Sequence, residues 1–350
     1  MRAPSSKPQI LTPLRPVTGR GGEGSGVETI VEEIRALVQT QLEQVDERIR
    51  GSLRSEVSLV NDISSYIVDS GGKRLRPLLV ILGAEAFGYQ GRAHIDLAAI
   101  IEFIHTATLL HDDVVDASTL RRGRDTANAL WGNQASVLVG DFLYSRAFQL
   151  MVAAGSMRIM EIMAETTNVI AEGEVLQLLN CNDPDTTEAR YLDVIRCKTA
   201  KLFEAGAMMG AVLAARSSHD ERNMATYGLQ LGIAYQLVDD VLDYRGDAGE
   251  IGKNVGDDLS EGKPTLPLIH AMRAGSAAEA GVIAAAIRTG DRGTIERVVD
   301  IVESTGGIAY TARAARLAAD RALAALSSAP ESPYKAGLGQ LAEFAVARTF

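Results

Sequence analysis

Two cysteines, Cys181 and Cys197, are all that 350 residues contain. That excludes a disulfide framework and suits a reducing compartment, so a cytoplasmic location is expected. A basic excess is missing as well: 35 lysines and arginines face 45 acids, for a net charge of −10. General nucleic-acid affinity is excluded on that balance, although a local basic pocket could still hold an anion. The most apolar stretch, Leu97 to Leu110, is broken by Glu102 and His105. It falls short of the ~18 uninterrupted apolar residues of a spanning helix, so no transmembrane segment is expected. Alternating β-branched runs, repeats of solenoid length and interdomain linkers between residues 27 and 350 are absent too.

What is present is a globular composition, 46% apolar and 23% charged. Residues 1–26 stand apart, with four Pro, five Gly, three Ser and two Thr and no acid before Glu23. Such a stretch cannot build a core and reads as a disordered tail. Its basic residues suit a transit peptide, but the prolines and glycines would break the amphipathic helix one needs. From Val27 onward apolar residues recur at three- and four-residue steps, interrupted by Gly, Pro, Asn and Ser clusters. The pattern predicts an all-α fold: one domain over 27–350, a helical bundle of about a dozen helices around a central cleft.

Two segments of the same form carry the chemistry: Leu109-Leu110-His111-Asp112-Asp113-Val114-Val115-Asp116 and Gln236-Leu237-Val238-Asp239-Asp240-Val241-Leu242-Asp243. On a helix the first and last aspartate of each lie one turn apart on one face. Like charges at that spacing cost ~0.2–0.5 kcal/mol per pair, and more among apolar neighbours. A cation would offset the repulsion, and hard oxygen ligands suit Mg²⁺. With 22 aspartates, Asp-Asp-x-x-Asp arises by chance ~0.09 times per chain, so two copies on predicted helices are hard to dismiss. Two facing clusters suggest a cleft that holds a diphosphate through magnesium.

A diphosphate also needs protein cations. Gly71-Gly72-Lys73-Arg74-Leu75-Arg76-Pro77 places three of them on a glycine turn before a helix, where free amides assist anion binding. Arg121-Arg122-Gly123-Arg124 follows the first cluster, and Lys253 and Lys263 lie on the loop after the second. His105 stands seven residues before Asp112, two helical turns away on the same face. Taken alone, each of these residues is as well explained by a solvated surface or a packed core.

As a set, the motifs resemble the trans-polyprenyl diphosphate synthases. The likeness rests on Gly71 to Pro77, Phe103 to Asp116, Arg121-Arg122-Gly123, Gly140-Asp141, Lys198-Thr199 and Gln236 to Asp240, in order over about residues 30–350. It is strongest for the bacterial branch that makes octaprenyl to decaprenyl quinone side chains. The resemblance implies an isoprenoid-synthase fold, a homodimer and three Mg²⁺ ions. Asp112, Asp116 and Asp239 would hold the metals, with Asp113, Asp240 and Asp243 in support. Arg121, Lys198 and Lys253 would clamp the allylic diphosphate, and Lys263 would close over a bound phosphate. Lys73, Arg76, His105 and Arg122 would hold isopentenyl diphosphate. Thr199 and Gln236 would face the carbocation, and no protein general base is required.

Product length has its own signal. Thr108 precedes Asp112 by one turn, and Ile104 and Ile101 continue that face. In the family, bulky aromatics at the positions of Ala107 and Thr108 stop growth early; here both are small. A long product is therefore expected, with Met151 and Met163 as candidates for the tunnel floor. A shorter-chain synthase and a non-catalytic partner subunit remain as alternatives. A strongly apolar product with a charged head also suggests transient membrane contact at release.

Overall fold

The computed structural model describes residues 25–69, 72–121, 123–245 and 256–348. Most of the expected tail, residues 1–24, lies outside them, as do Arg122 and Lys253. Helix α1 (Ser25–Leu37) is followed by α2 (Gln39–Ser52). The periodic pattern between them is continuous, yet the helix breaks for one residue at Val38, whose φ of −130° and ψ of 27° leave the α region. Then come α3 (Ser58–Asp69), α4 (Leu75–Ala86) and α5 (Ala93–Val115). A two-residue hairpin, β1 (Leu120–Arg121) with β2 (Arg124–Asp125), turns at Gly123 with φ +71°. It is too short to leave an alternating pattern, which is why the sequence suggests no strand.

Helices α6 (Ala127–Trp131), α7 (Asn133–Ala153) and α8 (Met157–Asn180) follow. Next, α9 (Glu188–Val194) runs through a π-helical segment, Ile195–Ala200, into α10 (Lys201–Leu213). The long α11 (Ser218–Arg245) precedes α12 (Asp257–Ser260), α13 (Leu266–Ala274), α14 (Ala277–Thr289), α15 (Ile295–Ser304), α16 (Gly307–Ala325) and α17 (Pro333–Ala347). Several starts follow from local chemistry. Ser156, Thr187, Ser276 and Ser332 each accept a backbone N–H of the first turn, and Pro333 stands at the first position of α17.

The centre is built by α4, α5, α10 and α11. Leu78 to Leu82 of α4 are sealed from solvent on every side, as expected for a helix apolar all round. Helix α5 packs against α2, α4, α7 and α10, and α11 against α10 and α16. By length and mean hydropathy α5 could cross a bilayer despite Glu102 and His105, but 72% of that window is buried inside the bundle. Its apolar character is used in packing. A second, smaller apolar cluster, including Val241, Leu268, Ile283 and Val298, forms around the C-terminal end of α11.

One buried group ties stability to pH. His94, 5% exposed, packs edge-on to Tyr89 at 5.7 Å. Burial lowers its pKa, more than Glu85 raises it, so the folded state binds this proton less readily than the unfolded chain, whose histidine titrates near ~6.5. The contribution is full above that value and is lost as pH falls below it through the lower folded-state value. His94→Phe is therefore expected to lose less stability than wild type between about pH 7.5 and about pH 5. Urea midpoints at both pH values test this; equal losses in the two proteins would refute it.

Candidate active site

Both aspartate clusters sit at the C-terminal ends of their helices. Asp112 and Asp113 fall in the last turn of α5 and Asp116 caps it, with no basic residue in that turn. Asp239, Asp240 and Asp243 occupy the last two turns of α11. A helix C-terminus carries partial negative charge, so carboxylates there are disfavoured twice over and call for cations. Both helix ends face one cleft of 1310 Å³, lined by Asp112, Asp116, Asp239, Asp240 and Asp243.

Asp113 is not among those lining residues. It is 1% exposed, and its Oδ1 accepts from Arg121 Nε at 2.8 Å and Nη2 at 2.6 Å. Burial lifts its carboxyl above the usual range although Arg121 opposes the shift. Adjacent helical residues point ~100° apart, so Asp112 can face the cleft while Asp113 cannot, in contrast to the supporting metal role expected for it. Asp113 instead fixes Arg121, whose side chain reaches the cleft wall.

The second cluster is tied into a polar chain. Thr199 Oγ1 donates to Gln236 Oε1 at 3.1 Å, Gln236 Nε2 donates to Asp240 Oδ1 at 2.9 Å, and Tyr191 OH donates to Asp240 Oδ2. Burial, with the nearby Asp258 carboxylate, pushes Asp240 up to about 8. Asp243 Oδ2 accepts from the Asp258 amide at 3.3 Å.

Three cations stand against three of the acids. Lys198 Nζ lies 3.4 Å from Asp112, Lys263 Nζ 2.9 Å from Asp116, and Arg348 Nη1 2.8 Å from Asp239. Lys263 also pairs with Glu261. Burial alone would lower the Lys263 pKa, but Glu261 and Asp116 more than reverse it. Arg348 stacks on the Tyr235 ring at 3.7 Å. Lys198 and Thr199 come from the π-helical segment, a wide turn frequent at functional sites. Glycines hold that segment on two sides: a Cβ at Gly232 of α11 would meet Ala200 Cα at 2.6 Å, and one at Gly173 of α8 would meet Lys198 N at 2.6 Å.

A second basic group lines the same cleft from α4. Arg76 Nη1 lies 3.0 Å from His105 Nε2, and because arginine can only donate, His105 must accept there with its proton on Nδ1. The Arg76 guanidinium also covers Phe203 at 4.4 Å, and Lys73 covers Phe344 at 4.9 Å. Arg74, in the same motif, also lines the cleft and pairs there with Glu102. Of the expected tunnel residues, Thr108 lines the cleft. Ile104, Ala107, Met151 and Met163 are sealed in the core, at most 1% exposed.

Glu174, Asp258, Glu261 and Arg348 are among the cleft residues to which sequence reasoning gave no role. Glu174 left a readable trace, since Ile170, Glu174 and Gln177 continue the buried stripe of α8 as it enters the cleft. Arg348 left none, as it meets Asp239 from 109 residues away.

The donor set fits magnesium. The cleft acids are hard oxygen donors, and protein cations are already matched to Asp112, Asp116 and Asp239. Among the described residues no three acidic, His or Cys side chains converge on one point. Mg²⁺ meets that condition, because it binds through one or two carboxylates together with substrate phosphates.

A helical bundle whose cleft sets two carboxylate clusters against two groups of cations defines a class of enzymes that act on isoprenoid diphosphates. Residues 57–304 match the polyprenyl synthetase family. The chain is 51% identical over 319 residues to octaprenyl diphosphate synthase of Escherichia coli (strain K12), covering 91% of this chain and 99% of that one. It also superposes on the crystal structure of a decaprenyl diphosphate synthase from Rhodobacter capsulatus, with TM-score 0.87 and 44% identity over 91% and 99% of the two chains. A polyprenyl synthase from Caulobacter crescentus CB15, crystallised with calcium and isoprenyl diphosphate, gives TM-score 0.88 at 42% identity, covering 91% of this chain and 98% of that one. The chain belongs to the polyprenyl synthetase family, a family of magnesium-dependent prenyltransferases, and it is a prenyltransferase of the long-chain trans-polyprenyl diphosphate synthase kind.

Proposed function

We infer that the protein extends an allylic diphosphate, farnesyl or geranylgeranyl, by successive head-to-tail additions of isopentenyl diphosphate. The product is an all-trans chain of octaprenyl to decaprenyl length for a quinone side chain. The observation that carries this reading is the meeting of both aspartate clusters and both cation groups on one cleft. Asp112, Asp116 and Asp239 would hold three magnesium ions, with Asp240 and Asp243 in support. Bound there, magnesium supplies neutralisation of the negative charge that develops on the leaving diphosphate.

The chain's own residues divide the remaining work. Lys198, Arg121 and Lys263 hold the allylic diphosphate, and Lys253 is assigned to it by resemblance. Lys73, Arg76 and His105 hold isopentenyl diphosphate, with Arg122 assigned likewise; arginine favours bidentate phosphate contact. As the allylic C–O bond breaks, the isopentenyl double bond attacks the freed carbon, and the proton then lost passes to the departing diphosphate. Thr199 and Gln236, linked to each other, orient their oxygen dipoles along the path of the cation.

The active form is a homodimer of one domain per chain, 27–350, in the cytoplasm, with membrane contact at product release. Support for a second copy comes from α7 and α8, where Leu138, Val175, Leu178 and Leu179 are more than half exposed. The deciding experiment incubates the purified protein alone with labelled isopentenyl diphosphate, farnesyl diphosphate and Mg²⁺. Dephosphorylated products are sized by reversed-phase chromatography. A Mg²⁺-dependent alcohol of octaprenyl to decaprenyl length is expected. Short products would keep the chemistry and remove the length assignment; no product with any allylic primer would remove both.

A further inference from the structure

Lys198 has a long, flexible side chain between two carboxylates. Its Nζ lies 2.5 Å from Glu174 Oε2 and 3.4 Å from Asp112 Oδ2. We propose that Glu174 is a positioning residue: it anchors the Lys198 ammonium at the cleft wall and keeps it from closing onto Asp112. The inference rests on the cleft being the diphosphate site described above.

The backbone is built around this contact. A Cβ at residue 173 would fall 2.6 Å from Lys198 N and 2.9 Å from Cys197 C, so only glycine lets α8 touch the π-helical segment. That close crossing sets the next residue, Glu174, beside Lys198. Glu174 also occupies a cleft-facing position on α8, one turn after Ile170 and three residues before Gln177. A carboxylate in such a place needs a partner to offset lost hydration, and Lys198 supplies it. The lysine stem is flexible and rich in rotamers, so the direct ion pair with Glu174 decides where the ammonium rests. Released from Glu174, Lys198 has Asp112 as its near alternative. It would then neutralise a carboxylate that the metals need and would withdraw from the diphosphate.

Glu174→Gln, nearly the same shape, separates positioning from charge. Removing a negative charge beside an anion site should by itself tighten anion binding. Loss of positioning should loosen it. Inorganic diphosphate is titrated calorimetrically into the full chain at saturating Mg²⁺, with thermal unfolding as the check on folding. Glu174→Gln is expected to bind about tenfold more weakly, the scale of a lost charge-assisted hydrogen bond. Glu174→Asp should restore part of that loss, and carries the comparison if the glutamine variant is unstable. Added to Lys198→Ala, Glu174→Gln should cost nothing further, because it acts through the lysine. Unchanged or tighter binding overturns the proposal, as do additive losses in the double variant. The two readings fail differently. If Asp112→Asn and Asp116→Asn weaken diphosphate binding but Glu174→Gln does not, only the role of Glu174 falls. If all three are silent, the cleft itself has been misassigned.

Discussion

Asp112→Asn is expected to lower turnover by about three orders of magnitude, ~4 kcal/mol of transition-state stabilisation, with little change in folding stability. Asp112 faces the cleft from the negative end of α5, near Asp116 and 3.4 Å from Lys198. Its charge is a liability to the fold, since like charges one turn apart repel, so asparagine should relieve strain as readily as cause it. What it removes is an oxygen anion from the set that neutralises the leaving group. Asp113→Asn, one residue on, should behave in the opposite way. Its carboxylate is sealed and accepts two bonds from Arg121, and breaking a buried pair from one side costs about 3 kcal/mol or more. A clear fall in the unfolding midpoint is expected for Asp113→Asn, with a smaller loss of turnover that follows the loosening of Arg121. Urea unfolding and steady-state rates at saturating Mg²⁺ on both variants make the comparison. More than a tenth of wild-type turnover in Asp112→Asn would sink the metal role of that residue. Wild-type stability in Asp113→Asn would sink the structural role of its neighbour.

The pair also marks the boundary of what the sequence makes legible. Helical periodicity places both aspartates on α5 and names the segment as the site, because a 3.6-residue repeat and a repeated Asp-Asp-x-x-Asp survive without any tertiary information. Which of two adjacent acids faces the cleft depends on where α5 sits in the bundle, and Arg121 reveals it only through the hairpin that brings it back. The π-helical segment is hidden for a similar reason. Residues 195–200 read as ordinary helix, and their wide turn becomes evident only between the backbones of Gly173 and Gly232 on two other helices. Arg348 is the extreme case: helix α17 must dock against α4 and α11 before its last turn can reach Asp239. Local rules therefore name both aspartate clusters and most of the cleft cations, while the direction each side chain faces, and the arrival of Arg348, are set by packing.

Thr108→Phe should convert a long-chain product into one that stops within the first few additions. Thr108 lines the cleft one turn before Asp112, and its hydroxyl bonds back to the His105 carbonyl at 2.8 Å, which leaves the methyl as the part free to meet a prenyl chain. Beyond it the stripe continues through Ile104 and Ile101, both fully buried with Met151 and Met163 in the same apolar core. A chain growing away from the aspartates along this face has to pass residue 108 first and then part that packing. A phenyl group at residue 108 should block the passage at its entrance, whereas change at Met151 or Met163 should act only on chains already long. The position is partly open, so a larger side chain can project into the cleft without the ~1–3 kcal/mol of overpacking expected in a sealed core. Reversed-phase sizing of dephosphorylated products, with the unfolding midpoint measured alongside, checks both halves. An unchanged product length in a stable Thr108→Phe protein would mean that the chain leaves the aspartates by another wall, and that the small residues at 107 and 108 serve packing alone.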